Sequence, residues 1–449
     1  MTQKTDLING PIDSSLRLFS VPLAFSFLVN MVYSLIDRFY ASRLGDTAIA
    51  AIGSSDQVSF FLFTMGSGLA VGTGIIVSRR FGEGAISEAN SIATQGVVGI
   101  TCVALLVTAI VYALMPRIPG LMNMPADVAG HALAYMGTLY LGFAANLVSF
   151  QIFTIVRSTG NSVFPMVVLI STTILNAAIA PFLIFGFGPF PRMELAGAGL
   201  ATAIAQICGA SFAVWSVTAG KVTIRLSLRN YRPDFTLLKS VARLGLPSAI
   251  QMLAVSVNRG IIFVIVGGFG TSVTAAYTLG LNLDMMVFMS VFAIGVAVEV
   301  ATGQNLGAGK PDRVAAFHTS AMKQTTILML TLGLLVWLFG EWFARLYTHT
   351  PETVTEVLRY QRSTSLGYAA FAIGLVTVRS ISGAGAAYTS MLVTVGSLLF
   401  MQLPLCYVLS HQAGLGSKGV WMGLVMGNFI FAGIALVVHR KGSWRSARV

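Results

Sequence analysis

The sequence predicts an all-α polytopic membrane protein, with twelve transmembrane helices in two pseudo-symmetric six-helix lobes around a central cavity. Three observations carry this expectation. The first is composition: of 449 residues, 55% are hydrophobic and only 10% charged, whereas a soluble domain has about 25% charged residues. The second is a series of apolar runs at 15–40, 47–78, 90–114, 130–156, 163–187, 194–218, 241–266, 274–303, 315–345, 355–380, 386–411 and 416–439. Most exceed the roughly 20 residues that span a bilayer core as helix, and a barrel would instead show alternating segments of about 10 residues. The third is an internal repeat. The stretch Pro22 to Gly84 is written again from Pro247 to Gly309 at a constant shift of 225, which sets Gly45 on Gly270, Phe63 on Phe288, and Gly82 and Gly84 on Gly307 and Gly309. Gly160 and Met166 keep the shift to Gly385 and Met391. Repeated halves of this kind enclose substrate sites in many transporters.

Taken in order, the first fourteen residues are polar and no cleavage-like site follows the first apolar run, so that run is expected to remain as a helix. It carries Ser26, Asn30, Tyr33, Ser34 and Asp37 at helical spacing. These form one polar stripe, which lipid cannot satisfy and which therefore faces protein or water. Asn30, Met31, Tyr33 and Ser34 are candidate cavity residues. Asp56 in the second run suits a helix-end cap. The turn after it, Ser78 to Gly84, and its copy, Gly303 to Lys310, hold glycines that suit helix stops, with no Gly-Lys-Ser/Thr order for a phosphate loop. The fifth run contains Asn176 and Pro181, where a kink is expected. The polar connector Lys221 to Lys239 then joins the halves. The expected division is an N-lobe at 1–220, a cytoplasmic linker at 221–240 and a C-lobe at 241–449.

The second half repeats the plan with different chemistry. At the constant shift Ser26 becomes Gln251, Asn30 becomes Val255, Ser34 becomes Arg259 and Asp37 becomes Ile262, while Asp284 and Glu299 stand where the first half has Ser59 and Gly74. At 1.5 Å per residue Arg259 lies about 20 Å from the cytoplasmic end of its helix, Asp284 about 28 Å and Glu299 about 6 Å. Arg259 and Asp284 are therefore expected to pair, and Glu299, close to Lys310 and Arg313 in sequence, to cap or pair at the cytoplasmic end. Gln251, Asn258, Asp284, Met285 and Met289 are the cavity candidates of this half.

The formal charge of +12 concentrates on segments that alternation places on one side, among them Arg79, Arg80, Lys221, Arg225, Arg229, Arg232, Lys310, Arg313, Arg440 and Lys441. That pattern follows the positive-inside rule. It sets both termini in the cytoplasm, names membrane lipid as a partner, and argues against nucleic acid. Cys102, Cys208 and Cys406 lie inside apolar runs, so neither a disulfide nor a metal site is expected. The five histidines, His131, His318, His349, His411 and His439, fall at or near span ends and build no catalytic constellation. The chain is expected to be a monomer and not an enzyme.

The block from Pro22 to Gly84, with Asp37, Leu44-Gly45 and Ala50-Ala51-Ile52-Gly53, resembles the multidrug and toxic compound extrusion (MATE) family. So do Arg157-Ser-Thr-Gly160, Arg379 through Gly385, and Gly303-Gln304-Asn305-Leu306-Gly307-Ala308-Gly309. The resemblance covers nearly the whole chain. It implies a secondary active transporter of a prokaryotic inner membrane that exports amphipathic, often cationic, compounds by alternating access, driven by inward proton or sodium flow. It further implies that Asp37 is the ion-coupling acid, with Asn176 beside it. The second aspartate that some members carry four residues after the asparagine is replaced by Ala180, and the seventh-helix glutamate of another branch would fall at Val255. This favours the branch similar to DNA-damage-inducible F proteins, and protons over sodium, since sodium needs several oxygen ligands. No cofactor is expected. The alternative within the broader superfamily is a flippase for a lipid-linked headgroup, which would be expected to line its cavity with several basic residues.

Overall fold

A computed structural model describes residues 5–229, 231–442 and 444. Among these the regular elements are all helical: α1 (Ile12–Ser42), α2 (Asp46–Gly82), α3 (Ile86–Leu114), α4 (Ala126–Leu139), α5 (Phe143–Ser158), α6 (Val163–Phe185), α7 (Glu194–Thr218), α8 (Phe235–Gly267), α9 (Thr271–Gly307), α10 (Pro311–Tyr347), α11 (Pro351–Thr364), α12 (Tyr368–Gly383), α13 (Ala387–Gln412) and α14 (Ser417–Arg440). Eleven spans are long and apolar enough to cross a membrane, α11 and α12 counting as one. The fourth of the twelve expected spans is broken, because α4 and α5 meet at a bend of 53°. α6 runs unbroken through Pro181. The expected position of both termini concerns chain ends outside the described residues.

The repeat seen in the letters recurs in the helix boundaries. α2 and α9 each have 37 residues and start and stop in register at the same shift, as do the starts of α3 and α10 and of the α4–α5 and α11–α12 pairs. The repeated glycines explain why. Gly45 and Gly270 precede their helices at φ 106° and 102° with ψ 175° and 172°, a conformation essentially confined to glycine. Gly84 and Gly309, at φ 77° and 68°, end the turns that follow, where a side chain would be strained.

Packing divides the described residues into two compact units, Thr5 with those from Phe25 to Ala249 and Asp6–Ala24 with those from Ile250 onward. This division departs from the lobes drawn on the sequence at two places. The start of α1 packs with the second unit, and the connector together with the first turns of α8 packs with the first. Each switch falls two residues beyond a repeated proline, Pro22 in α1 and Pro247 in α8. Hydrogen bonds within the units show what holds these arms. In the second unit, Asn305 Nδ2 donates to Leu7 O at 2.9 Å, Lys310 Nζ to Asn9 Oδ1 at 2.7 Å and Arg313 Nη2 to Gly10 O at 2.7 Å. The Gly-Gln-Asn-Leu-Gly-Ala-Gly turn thus holds the peptide that leads into α1. In the first unit, Gln95 of α3 binds Arg232 O, the Tyr231 hydroxyl and Asp234 N of the connector. α8 then presses so closely on α2 that a Cβ on Gly68 would come within 2.7 Å of Gly245 O, the small-residue contact by which apolar helices approach without a hydrophobic driving force.

Candidate functional site

In the first unit, α1, α4, α6 and α7 bring together the polar groups that the stripe on α1 announces. Asp37 is buried, with 8% of its surface exposed, and its Oδ1 has no hydrogen-bond partner among the described residues. Asn176 on α6 donates from Nδ2 to Thr202 Oγ1 on α7 at 3.2 Å, while its own Oδ1 is buried with no partner among the described residues. The Thr202 side chain faces Asp37 and Tyr33 as well. The Tyr33 hydroxyl is a third buried group with no partner among the described residues, and fully buried Tyr135 on α4 lies within electrostatic range of Asp37. Leaving a buried polar group unpaired costs about 1–3 kcal/mol. Three such groups gathered around one hydroxyl stabilise the fold little and make this cluster the candidate site.

The rest of the α1 stripe is less enclosed. Asn30 and Ser34 are exposed and Met31 is half-buried, and Ser34 Oγ donates to Asn30 O at 3.4 Å. Arg38 points to Asp56 at 3.4 Å, with both side chains about half exposed. Asp56 therefore serves as an ion-pair partner rather than the expected cap. No group of three or more His, Cys, Asp or Glu able to hold a metal occurs among the described residues. For a hard cation the oxygens of Asp37, Asn176 and Thr202 form the available donor set, with a single formal charge among them.

The second unit answers its buried acid differently. Asp284 on α9, also 8% exposed, accepts the Tyr360 hydroxyl on Oδ2 at 2.7 Å and the Tyr368 hydroxyl on Oδ1 at 2.5 Å. The expected Arg259–Asp284 pair is not a direct contact, since Arg259 lies within electrostatic range of Asp284 but no ion pair within 4 Å joins them among the described residues. Equal depth does not fix the direction a side chain takes around its helix, and two tyrosines from α11 and α12 occupy both oxygens. Glu299 takes its partners from α12. It pairs with Arg379 at 3.1 Å and accepts Ser382 Oγ at 2.7 Å, whereas Lys310 and Arg313 hold the peptide before α1. The Gln251 amide is tied to Thr394 Oγ1 at 2.5 Å and to Ser390, and Asn258 donates to Gln402 Oε1 at 3.0 Å. These two cavity candidates spend donors inside their own unit. Met285 is exposed and Met289 half-buried.

Sequence reasoning missed Thr202, Tyr135, Tyr360 and Tyr368. A signal for two of them was present, because Tyr135 falls on Tyr360 at the shift of 225. Thr202 gave none, as one hydroxyl in an apolar helix ordinarily bonds its own backbone.

The MatE family profile matches residues 22–182 and 247–408, so it covers both copies of the repeat. The chain is 27% identical to a probable multidrug resistance protein, YoeA, of Bacillus subtilis over 91% of its own length and 89% of that protein's. It is 24% identical to a protein named FAD transporter of Shewanella oneidensis over 97% and 96% of the two lengths. Among solved structures, a MOP superfamily transporter from Pyrococcus furiosus superposes with a TM-score of 0.91 at 22% identity, over 98% of each chain.

Proposed function

The chain belongs to the MatE family and is an integral membrane transporter, not an enzyme, and from that premise we propose that it exports amphipathic, cationic organic compounds in exchange for protons bound at Asp37. The observation that carries the proposal is the unpaired Oδ1 of Asp37. Every other buried carboxylate discussed above has its partners: Asp284 two tyrosines, Glu299 an arginine and a serine. A carboxyl group with unused acceptor capacity can change protonation state without breaking an ion pair. When charged, it accepts from the donors around Thr202; when neutral, it becomes a donor itself, and Asn176 Oδ1 and the Tyr33 hydroxyl are buried acceptors in the same unit. The proton thus rewires contacts between α1, α6 and α7, which is the local event that alternating access requires. Drug and proton favour opposite arrangements and weaken each other's binding, as linkage demands.

Multidrug resistance proteins and a FAD transporter both occur among the relatives, so the assay must offer both substrate classes. In proteoliposomes, an imposed proton gradient should drive uptake of a fluorescent organic cation into inside-out vesicles, and a sodium gradient alone should not. Asp37→Asn should abolish this movement while leaving the amount of folded protein unchanged. Full proton-coupled transport by that variant would remove Asp37 from the mechanism.

A further inference from the structure

The first unit carries an apolar groove that the transport reading does not use. It lies between α3, α5 and α7, has a volume of about 490 Å³, and is walled by Ala144, Ala145, Val148, Ala210, Val214 and Trp215. Alanines on α5 and α7 leave it open. Trp215 stands near the end of α7, and Ala210 lies about 12 Å from that end. On α5, Ala144 is about 20 Å from the helix terminus at Ser158. The groove therefore extends along the helices, the direction an acyl chain takes in a bilayer.

Its mouth is basic. Lys221 Nζ sits 5.9 Å from the centroid of the Trp215 ring, and the segment after it is pinned rather than loose. Lys221 N donates to Ser216 O at 2.9 Å, Arg225 N to Asn90 Oδ1 at 2.9 Å and Leu226 N to Val217 O at 3.3 Å. Val222, Ile224 and Leu226 are buried while Lys221, Thr223 and Arg225 are exposed, the alternation of an extended strap. A Cβ on Gly220 would come within 3.9 Å of Arg225 Cδ, so the arginine stem lies against Gly220, the residue before Lys221. No acidic residue occurs in the sequence between Glu194 and Asp234. The acids at the start of α3 and in the turn before it are engaged elsewhere, Glu88 with Arg80 and Glu83 with Arg79 and Arg80.

We propose that this groove and the Lys221–Arg225 pair form a binding site for an anionic phospholipid, one acyl chain lying along α5 and α7 and the phosphate between the two cations. Trp215 then occupies the level between tail and headgroup where tryptophan is enriched, and the basic strap faces the anionic leaflet. The competing account is that Lys221 and Arg225 merely complement the carbonyl end of α7, which confers no preference among lipids.

The test uses the full-length protein in phosphatidylcholine vesicles doped with dibrominated phosphatidylglycerol or dibrominated phosphatidylcholine. Quenching of Trp215 is taken as the difference between the wild type and Trp215→Phe, which removes one of five tryptophans. The brominated anionic lipid should quench Trp215 at about tenfold lower mole fraction than the neutral one, given two cations at the surface. Lys221→Gln with Arg225→Gln should merge the two curves, and Ala145→Phe should weaken quenching by both lipids. Arg440→Gln with Lys441→Gln, which removes equal charge elsewhere, should change nothing. Coincident curves in the wild type, or an equal loss of preference in the Arg440/Lys441 variant, would overturn the site. Should Ala145→Phe fail to fold, Ser211→Phe fills the same groove from α7, and the charge variants decide independently.

Discussion

Both units bury an acid next to the same repeated tyrosine, yet they treat it in opposite ways. In the first, Asp37 comes from α1 and faces Tyr135 with one oxygen unpaired. In the second, the counterpart of Asp37 is Ile262, and the acid has moved to α9, where Tyr360, the counterpart of Tyr135, and Tyr368 hold both oxygens. At the position of Asp284 the first unit has Ser59, whose hydroxyl meets that of Tyr140 at 3.3 Å. One backbone plan thus supports a carboxylate free to change state and a carboxylate fixed in place. What distinguishes them is the number of donors that reach the oxygens, not burial, which is 8% exposure for each.

The largest way to break that contrast is to neutralise both acids in turn. Asp37→Asn should reduce gradient-driven export to background with an unchanged melting temperature, because amide and acid share a shape and no ion pair is lost. Asp284→Asn should do the reverse, lowering the melting temperature while the folded fraction still transports. Both are read by proteoliposome flux and thermal unfolding in detergent. Loss of coupling in both variants would make the two sites equivalent and end the distinction.

Next in size is the test of which charge pair is real. Arg379→Met strands Glu299 in a buried site, and breaking such a pair costs about 3–5 kcal/mol. Arg259→Met, which acts on Asp284 at a distance and removes no ion pair within 4 Å among the described residues, should cost much less on the same denaturation measurement. A larger loss from Arg259→Met would restore the pairing with Asp284 that depth alone suggests.

How far the sequence anticipates these sites depends on what each inference rests on. The twelve spans, the repeat and the glycine stops follow from composition and spacing, which report directly on helix length and backbone conformation. Asp37 stood out because a polar residue in an apolar helix needs a reason, and the place of Asn176 beside it came from the family resemblance. The partners of Glu299, Gln251 and Asn258 were not legible, because they lie on α12 and α13 at separations near 80 and 140 residues, and a helical wheel gives the face of one helix but not the neighbour it meets. The exchange of the α1 and α8 arms was hidden for the same reason, although the prolines that mark it stood at the head of the repeat.

A smaller effect sharpens the account of Asp284. Tyr360→Phe and Tyr368→Phe each remove one donor to a carboxylate, a loss of about 1.5–3 kcal/mol for a bond to a charged group. Because both donors share one acceptor, the double variant should differ from the sum of the singles. Additive costs in a double-mutant cycle would mean that the two hydroxyls do not act on one charge. Tyr135→Phe in the first unit should cost less than Tyr360→Phe, since Tyr135 acts on Asp37 at electrostatic range and leaves its Oδ1 unpaired among the described residues.

The smallest effect belongs to Arg38 and Asp56, a pair with no counterpart in the second unit, where the equivalent positions are Phe263 and Leu281. Arg38 follows Asp37 in sequence and could be taken for its counter-ion. The structure directs it to Asp56 instead, at 3.4 Å and with side chains 57% and 45% exposed. Exposed pairs of this kind contribute about 0–1 kcal/mol, so Arg38→Gln should barely change the melting temperature. If Asp37 is left to the Thr202 side chain and the unpaired groups around it, Arg38→Gln should also leave proton-coupled export largely intact. Loss of coupling in Arg38→Gln but not in Asp56→Asn would show that the guanidinium acts on Asp37 after all. The first unit would then hold its acid as a charge pair, and the contrast with the tyrosine-held Asp284 would have to be redrawn around the partner's charge.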